Sequence, residues 1–279
     1  MRKACVIGWP VAHSRSPLIH NYWLRLHGIA GQYDRMPVEP GGVGEFLSRL
    51  RENGFSGCNV TLPHKEAAFA CVTAADEATE RLGVINTVFV RDNRNFGTST
   101  DGEGFMANLA AHAPGVSVGN ERVVLLGAGG AAMAIAGALV DAGAGEIAVA
   151  NRTAERVEVL RRKFGPVIVP VDWQRKDPAL TECRLLVNTT ALGMKGQPPL
   201  DLDLSYVEPR AVIADIVYTP LETPLIKLAK ARGLRTAGGL GMLLHQAVRG
   251  FELWFGIRPT VTSELHALVA RDIDPDWQP

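Results

Sequence analysis

The stretch RVVLLGAGGAAMAIAGALVD, Arg122–Asp141, decides how the chain folds. Val123, Val124, Leu125 and Leu126 form an unbroken apolar run, the pattern of a strand buried on both faces. Gly127-Ala128-Gly129-Gly130-Ala131-Ala132 follows at once and fits G-x-G-x-x-A. In such a turn the first glycine permits the tight bend and the second lets backbone approach a pyrophosphate. The small sixth residue lets the helix pack close to the strand. The helix N-terminus adds free N–H groups and the positive end of a dipole. A close-packed strand–helix turn without a ligand gives the same glycines, so the flanking sequence carries the decision.

Downstream, a strand over 146–150 ends where a dinucleotide site declares its cofactor. An NAD site places Asp or Glu there, roughly 20 residues past the first glycine, to bind the ribose 2′-hydroxyl. Here the residue is Asn151, followed by Arg152, Thr153 and, one short turn later, Arg156. No carboxylate occupies the position, and two guanidiniums can pair with a 2′-phosphate. The pattern predicts NADP, against the alternative of two surface arginines beside a helix cap at Thr153. A helix over 154–164, strands over 166–170, 185–188 and 211–215, and a helix from Pro224 to Arg232 continue the rhythm. A glycine-rich stretch, 236–241, precedes an amphipathic helix over 242–255.

Composition narrows the class. The 279 residues carry 29 basic and 29 acidic side chains, and 47% are apolar. Balanced charge gives no footprint for nucleic acid. No apolar run is long enough for a membrane span. The N-terminus enters a strand without a secretory h-region. Cys5, Cys58, Cys71 and Cys183 are scattered, without metal or disulfide spacing. The expectation is a cytoplasmic protein with reduced thiols, a small-molecule substrate, no metal, no nucleic-acid or membrane partner, and a monomeric or homodimeric state.

The N-terminal part places polar groups at strand ends. A strand over 3–7 runs into a loop holding Ser14 and Ser16, and Ser16-Pro17 reads as an N-cap with proline in the first turn. Strands over 32–38 and 57–61, with a helix over 43–53 between them, follow. Asn59, Thr61 and Lys65 surround a second strand-to-helix corner, with the helix starting at Pro63. Lys65 is not favoured by the helix dipole there, which suggests a role other than helix stability. A helix over 74–82, strands over 83–90 and 95–100, and Asp101 opening a helix complete this part. Residues 113–120 form a polar, glycine-bearing break.

Taken together, these motifs resemble the shikimate dehydrogenase family over nearly the whole chain. The resemblance rests on Gly8-Trp9-Pro10 with His13-Ser14-Arg15-Ser16-Pro17 and His20-Asn21, on Asn59–Lys65, Asn86-Thr87, Thr100-Asp101-Gly102, and the glycine turn. Asn151-Arg152-Thr153, Asn188–Met194, Asp215–Tyr218 and Met242-Leu243-Leu244 with Gln246 complete it. It implies reversible reduction of 3-dehydroshikimate to shikimate with NADPH, in aromatic amino-acid biosynthesis. It implies an α/β fold: an N-terminal α/β substrate domain, residues 1–102, joined by C-terminal helices 242–279. A Rossmann-type domain, 103–241, would hold NADP, with a cleft between the two. Carried over by position, Lys65 and Asp101 are the catalytic pair. Ser14, Ser16, Thr61, Asn86, Tyr218 and Gln246 bind substrate. Thr189, Ile216, Gly239 and Glu77 join Gly127, Ala128, Gly129, Gly130, Ala131, Asn151, Arg152, Thr153 and Arg156 around the cofactor. The family usually carries Asn where this chain has Ser99, which keeps a hydroxyl for a local hydrogen bond and loses the amide. A quinate/shikimate dehydrogenase of broader specificity and a silent ligand-binding paralogue are the alternatives; the presence of both Lys65 and Asp101 argues against the second.

Overall fold

In the computed structural model, which describes residues 1–278, sheet begins almost at the first residue. Strands β1 (Arg2–Gly8), β2 (Gly31–Pro37), β3 (Phe55–Val60), β4 (Thr73–Ala74), β5 (Thr87–Arg91) and β6 (Arg94–Thr98) form one sheet in the order β2-β1-β3-β5-β6-β4. β1 is parallel to β2 and β3, whereas β5 is antiparallel to β3 and β6. Helices α1 (Ser16–Leu26), α2 (Val43–Ser48), α3 (Lys65–Phe69) and α4 (Glu77–Leu82) join these strands. The sheet belongs to a unit built from Met1–Asp101 and Gln246–Val269. Its core includes Ile7, Leu47, Leu50, Val60 and Ile85.

The second unit runs from Gly102 to His245 and takes up the residues from Ala270 onward. Its strands are β7 (Arg122–Leu126), β8 (Glu146–Asn151), β9 (Ile168–Asp172), β10 (Leu185–Asn188), β11 (Val212–Asp215) and β12 (Arg235–Ala237). They lie in the order β12-β11-β10-β7-β8-β9, and every pair is parallel. Counted from β7, that is the doubly wound order whose direction reverses between the first and fourth strands, where α/β sheets bind ligands. Its helices include α5 (Asp101–His112), α6 (Gly130–Asp141), α7 (Ala154–Phe164) and α8 (Pro224–Ala231), while α9 (Gly239–Phe255) and α10 (Ser263–Ile273) each contribute residues to both units. α6 buries Ala132, Ala134, Ala136 and Gly137. Side chains this small let a helix approach a sheet closely, as the sequence pattern requires. Among the described residues no helix is long and apolar enough to cross a membrane.

Several boundaries differ from the sequence reading, for local reasons. The helix expected over 74–82 is split. Thr73 and Ala74 pair with Phe96 and Gly97, and α4 starts only at Glu77, where the Asp76 carboxylate accepts from the Thr79 N–H at 2.7 Å. A two-residue strand has no period to read. Gly83 ends α4 at φ 65°, so the strand expected from Gly83 begins at Thr87. A 3-10 turn over Gly165–Val167 displaces the strand expected at 166–170 to Ile168–Asp172. α2 stops at Ser48, short of 53. The glycine-rich stretch, 236–241, overlaps the end of β12, and α9 starts at Gly239 instead of 242.

One side of the first unit is an aromatic cluster. His20 stacks on Tyr33 (4.2 Å between centroids, 15°) and sits near Trp23, Phe251 and Trp254. The Trp254 indole N–H donates to the Val88 carbonyl at 2.9 Å, fixing α9 to β5. His20 is fully buried and neither ring nitrogen has a hydrogen-bond partner. Burial lowers its pKa from 6.5 to about 3; the nearby Asn59 side chain opposes this weakly, without hydrogen-bonding geometry. The unfolded chain therefore takes up a proton near pH 6.5 that the folded chain refuses until about pH 3. Stability from this site is complete above 6.5 and is lost as pH falls, by about 1.4 kcal/mol per pH unit. His20→Phe keeps a ring in the stack and removes the titration. Chemical denaturation across that range should show the variant gaining on the parent as pH falls; parallel curves would contradict the assignment.

Candidate active site

The expected catalytic pair meets in the first unit. Lys65 is the first residue of α3, directly after the corner that ends β3, and Asp101 is the first residue of α5. The Lys65 ammonium donates to Asp101 Oδ2. Both side chains are largely buried, at 16% and 10% exposure. The lysine's unfavourable place in a helical first turn is thus matched by a specific carboxylate.

Asn86 organises the surroundings. It lies just ahead of β5 and is buried. Its Nδ2 donates to Asp101 Oδ1 and Thr100 Oγ1, each at 2.9 Å, and to Gln246 Oε1 at 3.1 Å. Its Oδ1 accepts from the Thr100 N–H at 2.9 Å and from the Thr87 hydroxyl at 3.1 Å. Two hydrogens serve three acceptors, so at least one of these bonds is shared. Gln246, from α9, is joined a second time: its carbonyl accepts from the Thr100 hydroxyl at 2.8 Å. Asp101 is therefore held on both oxygens, by Lys65 and by Asn86.

Asn59 extends the network. Its Oδ1 accepts from the Tyr33 hydroxyl at 2.5 Å, and its Nδ2 donates to the Asn86 carbonyl and to Thr87 Oγ1, both at 3.1 Å. The sequence reading assigned no role to Thr100 or Tyr33, and it noted Asn59 without placing it in the site. An asparagine inside an apolar strand is the one available signal, because Asn is depleted in strands. Tyr33 and Thr100 carry none.

The serines differ from expectation in one respect. α1 starts at Ser16 itself, with Arg15 in the N-cap position and no side-chain capping bond. The reading of Ser16 as the cap is therefore corrected: its hydroxyl is not used in capping, and it faces the buried Tyr33 phenol, which burial pushes well above its ordinary pKa. Ser14 Oγ accepts from the Ser16 N–H at 3.3 Å, while the Ser14 carbonyl accepts from Arg35 at 2.6 and 2.9 Å. Thr61 is half-buried at the end of the same sheet, its N–H donating to the Ile7 carbonyl at 2.9 Å. Ser99 is a second correction. Its Oγ is buried without a hydrogen-bond partner, so the expected local bond is not made, and Asp101 is oriented without it.

The second unit gathers the expected cofactor residues. Gly127 has φ +105°, and a Cβ there would lie 2.6 Å from Thr189 Oγ1. Only glycine fits both the angle and the space. Thr189 in turn donates to the Leu126 carbonyl at 2.7 Å, tying the loop after β10 to the end of β7. Gly129 is the N-cap of α6 and has no side-chain capping bond. A Cβ on Gly129 would meet no protein atom within 4 Å, so the start of α6, at Gly129, Gly130 and Ala131, is uncrowded at its N-cap residue. Ala128 and Ala131 are half-buried beside them. Those features fit a pyrophosphate. Asn151 Nδ2 donates to the Thr153 carbonyl at 2.8 Å and shapes the turn after β8, while Arg152 and Arg156 are exposed. Thr153 occupies the N-cap of α7 but makes no side-chain cap bond. Capping therefore does not account for this sequence, and a donor set of Asn, Arg, Thr and Arg fits a 2′-phosphate.

Asp215 braces two loops at this end of the sheet. It accepts from Asn188 Nδ2 and the Val217 N–H at 3.0 Å, and from the Thr223 hydroxyl at 2.7 Å. Burial raises its pKa from 3.8 to about 6 against those three donors. Ile216 and Tyr218, both half-buried, follow directly. Tyr218 and Gly239 thus belong to the second unit, whereas Ser14, Ser16, Thr61, Lys65, Asn86, Asp101 and Gln246 belong to the first. Glu77 is an exposed residue of the first turn of α4, where the helix dipole alone favours a carboxylate.

A doubly wound unit with a glycine turn, in one chain with a separate unit that carries a buried lysine–aspartate pair, places the protein among two-unit proteins with a Rossmann-type fold. Family models described as shikimate dehydrogenase substrate binding domain, shikimate / quinate 5-dehydrogenase and shikimate 5′-dehydrogenase C-terminal domain match residues 6–88, 108–193 and 239–262. The shikimate dehydrogenase (NADP(+)) of Nitrobacter winogradskyi is 54% identical over 98% of this chain and 97% of its own length. Shikimate 5-dehydrogenase from Thermus thermophilus, solved with NADP(H) and shikimate, superposes with TM-score 0.86 at 36% identity, over 97% of this chain and 99% of that one. Quinate dehydrogenase from Corynebacterium glutamicum, solved with NAD, has TM-score 0.88 at 30% identity, over 96% and 98% of the two chains. The chain belongs to the shikimate dehydrogenase family.

Because the Ser99 hydroxyl makes no hydrogen bond, Ser99→Ala should keep kcat/KM for shikimate within about twofold and unfolding free energy within about 0.5 kcal/mol. Steady-state kinetics with a urea titration checks this. A loss of tenfold or more would mean that Ser99 supports Asp101 after all.

Proposed function

We propose that this protein catalyses the reversible NADPH-dependent reduction of 3-dehydroshikimate to shikimate, a step towards chorismate and the aromatic amino acids. The observation that carries the reading is the buried Lys65–Asp101 pair, held by Asn86. Reducing a ketone needs a hydride at carbon and a proton at oxygen. NADPH, when bound by the glycine turn and the Asn151–Arg156 segment, supplies the hydride. Lys65 Nζ holds the proton destined for the carbonyl oxygen, and Asp101 fixes that nitrogen and accepts from the substrate hydroxyl beside it. Asn86 and Gln246 keep the Asp101 carboxylate from rotating. Ser14, Ser16 and Thr61 bind the substrate carboxylate and hydroxyls with Asn86, Gln246 and Tyr218.

The unit made from Met1–Asp101 and Gln246–Val269 then serves as the substrate and catalytic domain, and the doubly wound unit as the NADP domain. Thr189, Ile216 and Gly239 line the cofactor's path there, Ile216 and Gly239 at its nicotinamide end; Glu77 is an additional cofactor contact. Four free thiols, three of them buried, suit the cytoplasm. The enzyme works there as a monomer or homodimer on small molecules alone. A broader quinate/shikimate activity is the second reading, favoured by the similarity to a quinate dehydrogenase. Asn151 and Arg152, in place of a carboxylate, favour NADP over the NAD of that protein.

Lys65→Ala should lower kcat by at least about a hundredfold while KM for shikimate changes by only a few-fold, since proton transfer matters in the transition state. Near-normal turnover would remove Lys65 from the mechanism. Arg152→Ala should raise KM for NADP by about tenfold, the loss of one charge-assisted bond, and leave KM for NAD unchanged. Initial rates with both cofactors on shikimate and on quinate decide the two readings; faster turnover with NAD or quinate would favour the second.

A further inference from the structure

We infer that Asn108 is a positioning residue for the nicotinamide end of the cofactor site, an inference that rests on the placing of Ile216 and Gly239 against the cofactor. Asn108 lies on α5, is 2% exposed, and donates through Nδ2 to the Gly238 carbonyl at 2.9 Å. Its Oδ1 is buried and accepts no hydrogen bond. That oxygen presses on the first turn of α9: a Cβ on Gly241 would lie 1.8 Å from it. On the other side, a Cβ on Gly239 would lie 2.3 Å from the Ile216 carbonyl oxygen and 2.7 Å from that of Val217. The segment Gly238–Gly241 is therefore gripped between the Asn108 carboxamide and the backbone that leaves β11. Ile216, on the far wall, is itself fixed, its N–H donating to the Asn188 carbonyl at 3.1 Å. Asn108 supplies the opposing side chain.

Stability does not explain this choice of residue. A buried carboxamide with an unmet oxygen is worse for folding than an apolar side chain of the same shape. Leucine would fill the volume, and the Gly238 carbonyl it would leave unbonded belongs to a half-buried residue that water can reach. What leucine cannot do is hold Gly238 and set the height of Gly239 over Ile216. A positioning role accounts for an amide in this place, and the two glycines follow from it, because no side chain fits either wall.

The test compares binding of NADPH with binding of adenosine 2′,5′-bisphosphate, the half of the cofactor without nicotinamide, to the full-length protein. Asn108→Leu and Asn108→Ala should each weaken NADPH by about tenfold and leave the fragment within about twofold, with the melting temperature of the leucine variant close to the parent's. NADPH binding unchanged in both variants, or both ligands weakened equally, overturns the inference. Ile216→Ala separates the two levels of the argument. If it weakens NADPH and the Asn108 variants do not, the positioning role alone fails. If it leaves NADPH unchanged, the placing of the nicotinamide against Ile216 fails and takes the inference with it.

Discussion

The first unit depends on one carboxamide. Asn86 donates to a carboxylate on one side and accepts from a backbone N–H on the other, and its amide supplies two N–H donors and a separate acceptor oxygen for this. Aspartate there would set two like charges side by side, and leucine would strip Asp101 Oδ1 and the Thr100 N–H of their partners. The Asn86 backbone is tied as well: its carbonyl accepts from the Val60 N–H at 2.8 Å, and its N–H donates to the Thr98 carbonyl at 3.2 Å. Strand β3, strand β6, the start of α5 and the middle of α9 are thus referred to a single residue. Because that residue is buried, each bond is strengthened by the low local dielectric, and each would be costly to leave unmade.

The two units solve recognition by different physics. Around Gly127–Ala131 the groups available to a ligand are backbone groups at a helix terminus, which depend on small residues and not on particular side chains. Around Lys65 and Asp101 the groups are side chains whose orientation is fixed by other buried side chains. The first arrangement suits a part common to many reactions. The second suits discrimination among closely related polyols, since a pocket of fixed polar groups penalises any analogue that leaves one of them unpaired.

That difference governs how much could be read from the chain. The doubly wound unit was legible because β7, the glycine turn and α6 are contiguous, and each step has a local sequence cause. The Lys65–Asp101 pair was singled out through short motifs, yet the reason for its geometry was not visible. Asn86 reaches Gln246 across 160 residues and Asn59 across 27, and no periodicity encodes such pairings. Tyr33 reads as an ordinary strand residue until its hydroxyl is seen on Asn59. Ser16 shows the opposite error: proline after serine is a good capping signature, but the helix took Arg15 into that position. The C-terminal helices came only from the resemblance, while β12 was missed because a strand of three residues has no period to read.

The bond between Asn108 and Gly238 also bears on how the molecule comes together. The first unit is discontinuous: its sheet is made early in the chain, and Gln246 and Trp254 arrive only after the whole second unit. Closing a loop of that length in a flexible chain is an entropic burden, although each doubling of length adds only about 0.6 kcal/mol. Once the second unit has folded, Asn108 near its beginning clasps Gly238 near its end. The insertion then behaves as a short connection, and the remainder of α9 is delivered from a point already fixed to α5. In this topology the Asn108–Gly238 bond shortens the effective connection between the two chain segments of the first unit, which lowers the entropic cost of bringing Gln246 to Asn86.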